Sequence, residues 1–379
     1  MTNAAFEGRP CPDWYAEPQL GIFIHWGMWA IPAWAPRGAS LTELVRDDYD
    51  HAFALGPYAE WYPNAMKVAG SPTAVRHAEL YGDQPYSAFR EPFEAAAQAF
   101  DAEAWVDLFE AAGAAYVVFV TKHHDGFCLW PTGVENPNRP GWHSQRDFVG
   151  ELAQAVRKRG MRFGLYYSGG LDWTFHHSPI SNFGEMFACV PPGEAYRQYA
   201  VAQVRELIDR YKPSVLWNDI AWPDGRDLDD LFAYYYAAVP DGVVNDRWMG
   251  NTGLFDSLRT PEGLAGFNAM VKARTAASGG ESSSTPRHHF DFRTVEYADG
   301  GDMGGAKWES TRGLGMAFGY NANEETADYL TGEALTALYR DVTARGGNLL
   351  INVGPMADAT IPPVQQAPLR DLGRILRGG

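Results

Sequence analysis

The feature that most constrains the fold is a repeated order of short apolar runs, each closed by polar residues and followed by a longer amphipathic stretch. The runs are LGIFIHWG (20–27), AYVVFVT (115–121), MRFGLYYS (161–168), SVLWND (214–219), GVVND (242–246) and GNLLINVGP (347–355). Short apolar runs bounded by turn signals are the pattern of parallel strands buried on both faces. Helix-like segments separate them: 91–113, stopping at Gly113; 144–160, from a capping Ser144 to Gly160; 193–211; and 331–347. Strand alternating with helix in this way specifies a parallel α/β fold. A (β/α)8-type barrel is expected rather than an open sheet. His25, His123, His124, Tyr166, Asp219 and Asp246 sit at the C-terminal ends of different runs, and a barrel gathers those ends on one face. An open sheet would use mainly one crevice. No GxGxxG or GxxxxGK[ST] motif supports a nucleotide site. Residues 33–90 read as a long aromatic loop insertion, and AASGGESSSTPR (276–287) as a small, polar, mobile surface loop.

Composition narrows the partners. The net charge is −16, from 31 basic and 47 acidic residues, and no Lys/Arg run stands out. Nucleic acid and anionic membrane are poor partners for such a surface, and a neutral ligand suits it. No window is apolar over the roughly 18 residues needed to span a bilayer. The first residues lack a basic segment followed by an apolar one, so a cytoplasmic location is expected. The 3 cysteines are too few and too scattered for a disulfide framework or a structural zinc site. Aromatic residues make up 14% of the chain, with 13 Trp. Such rings stack on sugar faces, although core filling accounts for most of them.

Asp219 closes the run Leu216-Trp217-Asn218-Asp219, where a carboxylate can serve as nucleophile, base, metal ligand or buried hydrogen-bond acceptor. Glycoside hydrolysis needs two carboxyl groups, one ionised and one able to give a proton to the leaving oxygen. Glu60, Glu296 and Glu309 are candidates for the second, each beside aromatic residues that would raise a carboxyl pKa. A metal site would draw on His25, His123, His124 and Asp219. Adjacent histidines on a strand face opposite ways, so both can ligate one ion only if the strand ends between them. Neutral imidazoles that hydrogen-bond sugar hydroxyls fit their number and placement better.

GIFIHWG, AEWYPN, VTKHHDGFCLWPT, RFGLYYSGGLDW, KPSVLWND, VVNDRW, KWES and GGNLLINVGP, in this order from about residue 13 to 375, resemble the α-L-fucosidases of glycoside hydrolase family 29. The resemblance implies a distorted (β/α) barrel and a retaining double displacement without metal or organic cofactor. It makes Asp219 the nucleophile and Glu296 of the TxEY segment the general acid/base, with Glu309 second and Glu60 third. It implies a fucose pocket formed by Phe23, His25, Glu60, Trp61, His123, His124, Tyr166, Trp217, Arg247 and Phe318. The expected ligand is a fucosylated oligosaccharide or fucoside, transfer to another acceptor is chemically allowed, and homo-oligomerisation is compatible with such barrels. An α-L-galactosidase or a non-catalytic fucose-binding barrel are the alternatives. Residues 252–287 look longer than the usual link, and a C-terminal β-sandwich common among relatives is not evident. The expected organisation is one catalytic barrel over 1–379, with loop insertions at about 33–90 and 252–287.

Overall fold

The computed structural model describes residues 6, 8–278, 288–297 and 305–378. Its strands are β1 (Leu20–Ile24), β2 (Tyr116–Lys122), β3 (Arg162–Ser168), β4 (Val215–Asp219), β5 (Val243–Val244), β6 (Arg293–Glu296), β7 (Trp308–Gly313) and β8 (Asn348–Val353). Every pairing is parallel, in the order β5-β4-β3-β2-β1-β8-β7-β6. The sheet is a distorted (β/α)8 barrel with a seam between β5 and β6. Asp291 bridges one end of that seam. The Asp291 amide donates to the Val244 carbonyl at 2.9 Å, and the Val244 amide donates to Asp291 Oδ2 at 2.8 Å. Arg9 and the Tyr236 hydroxyl hold the same carboxylate.

β1, β2, β4 and β8 coincide with apolar runs and are buried nearly end to end, as is β3 after its first residue. The fifth run forms only a two-residue strand, Val243–Val244. Beyond it, side chains replace the ladder: Asn218 N donates to Asn245 Oδ1 at 3.0 Å, and Asn245 Nδ2 donates to the Asn218 carbonyl at 2.8 Å. β6 (RTVE) and β7 (WESTRG) are too polar to register as buried strands in the sequence.

The segment 91–113 is broken. Phe100 inserts into the core, and Asp101 caps a new helix, Ala102–Ala112, by accepting from the Glu103 and Ala104 amides. The 144–160 segment starts its helix at Phe148, because Asp147 accepts from the Gly150 amide, while Ser144 Oγ accepts from Arg146 N instead. The insertion at 33–90 carries helices at Leu41–Asp47, Ala52–Leu55, Tyr62–Ala65 and Pro72–Tyr81. Much of 252–278 is also helical, at Leu254–Ser257 and Pro261–Ser278, whereas 279–287 of the polar stretch lies outside the described residues. Among the described residues no helix is long and apolar enough to cross a membrane.

Candidate active site

β4 delivers Asp219 to the top of the barrel and then turns sharply, with Ile220 at φ 52° and Ala221 at φ 82°. Non-glycine residues rarely take this left-handed conformation, and they do so where the surroundings over-determine it. Here Asn218 Nδ2 donates to the carbonyls of Ala221 and Arg247, at 2.8 and 2.9 Å. Gly170 lets the turn approach: a Cβ there would lie 1.6 Å from the Ile220 carbonyl oxygen.

The Asp219 carboxylate is surrounded by donors. Oδ2 accepts from the Tyr166 hydroxyl at 2.9 Å, and Oδ1 accepts from Arg247 at 3.1 Å and from the Ile220 amide at 3.0 Å. Burial opposes ionisation, yet the Arg247 charge and the bonds from Tyr166 and Arg247 hold the pKa below the usual aspartate value. The other terminal nitrogen of Arg247 donates to Glu296 Oε2 at 3.0 Å, and Tyr58 donates to Glu296 Oε1 at 2.7 Å. One guanidinium therefore grips carboxylates from β4 and β6. Burial disfavours the Arg247 charge, but Glu296, Asp219 and Asp246 together raise its pKa above the ordinary arginine value. Thr294 fixes the fork: its hydroxyl accepts from Arg247 Nε at 3.0 Å and donates to Asp246 Oδ1 at 2.8 Å.

The histidines come together because β2 ends at Lys122, before the pair, after a register shift following Val120. The His123 and His124 rings lie 4.0 Å apart, on one side of the chain rather than on opposite faces. Burial lowers the pKa of His25 to about 3 and of His124 to about 4, and it pushes His123 well below its usual value. All three are neutral near pH 7. Their tautomers follow from the bonds. Asn352 Nδ2 donates to the Phe318 carbonyl at 2.6 Å, so Asn352 Oδ1 accepts, at 2.7 Å, the proton on His25 Nδ1. Ser168 donates its only proton to the Leu171 carbonyl, so His124 Nδ1 must donate to Ser168 Oγ at 2.6 Å. His124 Nε2 is left as a buried acceptor without a partner, 3.9 Å from Asp219 Oδ2. A buried unpaired acceptor is costly and calls for a donor from a ligand.

These groups line a cleft of about 940 Å³, its open mouth included. Phe23, His25, Glu60, Trp61, His123, Tyr166, Trp217, Asp219, Arg247, Glu296 and Phe318 all face it. His124 stands one layer back, behind Trp61 at 5.1 Å between ring centres. Burial raises the pKa of Glu60 to about 8 against the bond from the Gly319 amide. Glu309 is misplaced for proton transfer to a ligand in this cleft. It is fully buried inside the barrel, accepting from Tyr15 and Tyr116 on Oε2 at 2.7 and 2.6 Å and from Trp217 Nε1 on Oε1 at 3.0 Å. It anchors Trp217, whose ring stacks on Tyr166 at 5.6 Å. Asp246 is likewise a support for Thr294 rather than a lining residue. Sequence reasoning missed Tyr58, the supports Asn352, Ser168 and Thr294, and the apolar wall from the insertions. The polar Asn in the apolar run LLINV was the one visible signal. Among the described residues no group of three or more His, Cys, Asp or Glu side chains is arranged to hold a metal ion.

A family model described as alpha-L-fucosidase matches residues 1–378. The chain belongs to the alpha-L-fucosidase family. It is a glycoside hydrolase. The bovine tissue alpha-L-fucosidase is 30% identical over 385 residues, covering 98% of this chain and 68% of the relative. A Thermotoga maritima alpha-fucosidase structure, in complex with fucose, is 40% identical with a TM-score of 0.78, covering 98% of this chain and 75% of that one. The structure of that organism's alpha-L-fucosynthase, in complex with a fucosyl-fucose azide, is 41% identical with a TM-score of 0.81 over the same shares. Family membership accounts for the barrel and for the concentration of charged and aromatic groups at the C-terminal ends of its strands.

Proposed function

We propose that the chain is a retaining exo-α-L-fucosidase in which Asp219 is the nucleophile and Glu296 the general acid/base. The observation that carries this reading is the sharing of Arg247 by two carboxylates at the mouth of a pocket floored by neutral imidazoles and aromatic rings. Retention uses carboxyl groups about 5–5.5 Å apart, and inversion about 6.5–9.5 Å. A single guanidinium gripping both favours the shorter spacing.

Fucose enters with its hydroxyls toward His25 and His123, where the bare Nε2 atom of His25 accepts a hydrogen bond, and His124 backs this floor from behind Trp61. Phe23 and Phe318 offer apolar surface to the 6-deoxy methyl group. Asp219 Oδ2, with one donor against two on Oδ1, keeps a lone pair for attack on C1. As the C1–O bond breaks, the glycosidic oxygen takes the proton of Glu296. Glu296 then removes a proton from water, whose oxygen attacks C1 and frees Asp219. Arg247 contacts both carboxylates, so it can neutralise whichever carries the charge at each stage. Two inversions leave α-L-fucose as the first product. An acceptor hydroxyl that replaces water in the second step gives fucosyl transfer. The families of the matched enzymes and the fucose held in the Thermotoga structure support this choice of sugar.

Proton NMR during hydrolysis of nitrophenyl α-L-fucoside tests the proposal. The α anomer of fucose should appear first, with the β anomer growing later by mutarotation. Early appearance of the β anomer would overturn the retaining assignment.

A further inference from the structure

The cleft has two chemically different halves. Its floor is buried and polar. Its outer wall comes from the inserted segment 33–90, from the helix Phe183–Ala188 after β3 and from the turn after β4, and includes Leu41, Phe53, Phe183, Met186 and Ile220 together with Gly56 and Ala65. None of these side chains can form a hydrogen bond. Leu41, Phe53, Phe183 and Ile220 are partly exposed, whereas His25, His123, Tyr166 and Trp217 on the floor are buried. Exposed aromatic surface continuous with a polar site marks a ligand-contacting face rather than core.

The wall is built rather than incidental. Phe53 and Phe183 pack edge to face with ring centres 5.2 Å apart, and Phe53 packs on Trp61 at 5.7 Å. Asn268, from the helix Pro261–Ser278, ties the two sides together: its Oδ1 accepts from Tyr49 at 2.9 Å and from the Gly184 amide at 3.0 Å. Direction follows from exposure. The Glu296 side chain is 29% exposed and that of Asp219 13%. The proton donor thus lies nearer the mouth, the part of the cleft where the partly exposed Leu41, Phe53, Phe183 and Ile220 also lie.

We infer that this wall is an aglycone subsite for an apolar leaving group, an alkyl or aryl alcohol, in preference to a second hydroxyl-rich sugar. The inference rests on the fucosidase reading and specifies the other half of its substrate. Against these seven residues a hydroxylated sugar would lose water without regaining side-chain hydrogen bonds, whereas an alkyl chain gains by burial.

A homologous series of alkyl α-L-fucosides from ethyl to hexyl tests this, because leaving-group basicity is nearly constant along it. Half-burial of each added methylene predicts that kcat/KM rises roughly tenfold over the series. It should also exceed the value for a fucosyl disaccharide. Phe183→Ser and Leu41→Ser should each flatten the slope. Leu41 lies on a helix with no buried residue, so its variant folds even if loss of Phe183 perturbs packing. A flat series, a preferred disaccharide, or a slope unchanged in both variants would overturn the inference. Calorimetry with the unhydrolysed S-alkyl thiofucosides reads the same slope as affinity. If no fucoside is hydrolysed, the fucosidase reading fails, while a rising affinity in this series still upholds the apolar wall.

Discussion

The two arcs of the barrel differ in how they are built and in what they contribute. The arc from β8 through β1 to β4 is made of apolar strands paired along most of their length, and it supplies the imidazole floor, Trp217 and Asp219. The seam arc, β5 to β7, is short and polar. It supplies Arg247 and Glu296, held by Asp246, Thr294 and Asp291 through side-chain bonds. The group proposed to form the covalent bond thus stands on the continuous ladder. The proton-transfer group stands on β6, which is laddered to β7 on one side and held by side chains across the seam on the other. Main-chain pairing resists single substitutions, whereas a side-chain clamp can be broken by one.

The largest effect should come from the continuous arc. Asp219→Asn is expected to lower kcat by about 10⁴-fold or more for every leaving group, read by steady-state kinetics on nitrophenyl and alkyl fucosides. Retention of more than a few per cent of activity would break the comparison at once. On the seam, Glu296→Ala should cost about 10²–10⁴-fold with alkyl leaving groups and far less with nitrophenol, which departs without a proton. Equal losses on both substrates would remove Glu296 from the acid role.

Asp291→Ala tests whether the seam is the weaker side. It strands the Val244 amide and Arg9, at a cost of about 1–3 kcal/mol, so the melting temperature should drop. Turnover of alkyl fucosides should fall more than that of nitrophenyl fucoside, because the displacement acts through β6 on Glu296. Similar losses on both would show that the arcs move together.

The last test concerns the pH dependence of stability. Glu60 is fully buried with a pKa raised to about 8, so folding stability present below its unfolded value of about 4.3 is lost as pH rises toward 8. Glu60→Gln, which keeps the acceptor for the Gly319 amide, should therefore gain stability relative to the native chain between those limits. The buried histidines act oppositely. Their lowered values mean that stability falls as pH drops below about 6.5, in both proteins alike. A constant difference in melting temperature from pH 5 to 8 would contradict the assignment for Glu60.

The same division explains what the sequence made legible. Apolar runs announced β1 to β4 and β8, and with them His25, His123, Tyr166 and Asp219 at their places around the cleft, while Phe23 and Trp217 on the same runs were assigned to the pocket through the family resemblance. β6 and β7 were hidden because RTVE and WESTRG carry polar side chains that bind other side chains inside the barrel. Arg247 reached the candidate list through resemblance to a family, whereas Glu296 was a candidate from its aromatic neighbours and was ranked first by that resemblance; periodicity pointed to neither. The placement of Glu309 could not be read from its aromatic neighbours. Desolvation raises a carboxyl's pKa whether it faces a ligand or, as here, accepts from Tyr15, Tyr116 and Trp217 in the interior. The outer wall was unreadable for another reason: Leu41, Phe53 and Phe183 come from segments distant in sequence, brought together by Asn268 and the insertion helices.

The central claim is that Asp219 forms a covalent bond to the anomeric carbon. Incubation with 2-deoxy-2-fluoro-fucosyl fluoride, followed by proteolysis and mass spectrometry, reads it most directly. The account predicts one fluorofucosyl label, on the peptide containing LWND and localised to Asp219. A label on Glu296, Glu60 or any other residue would contradict it.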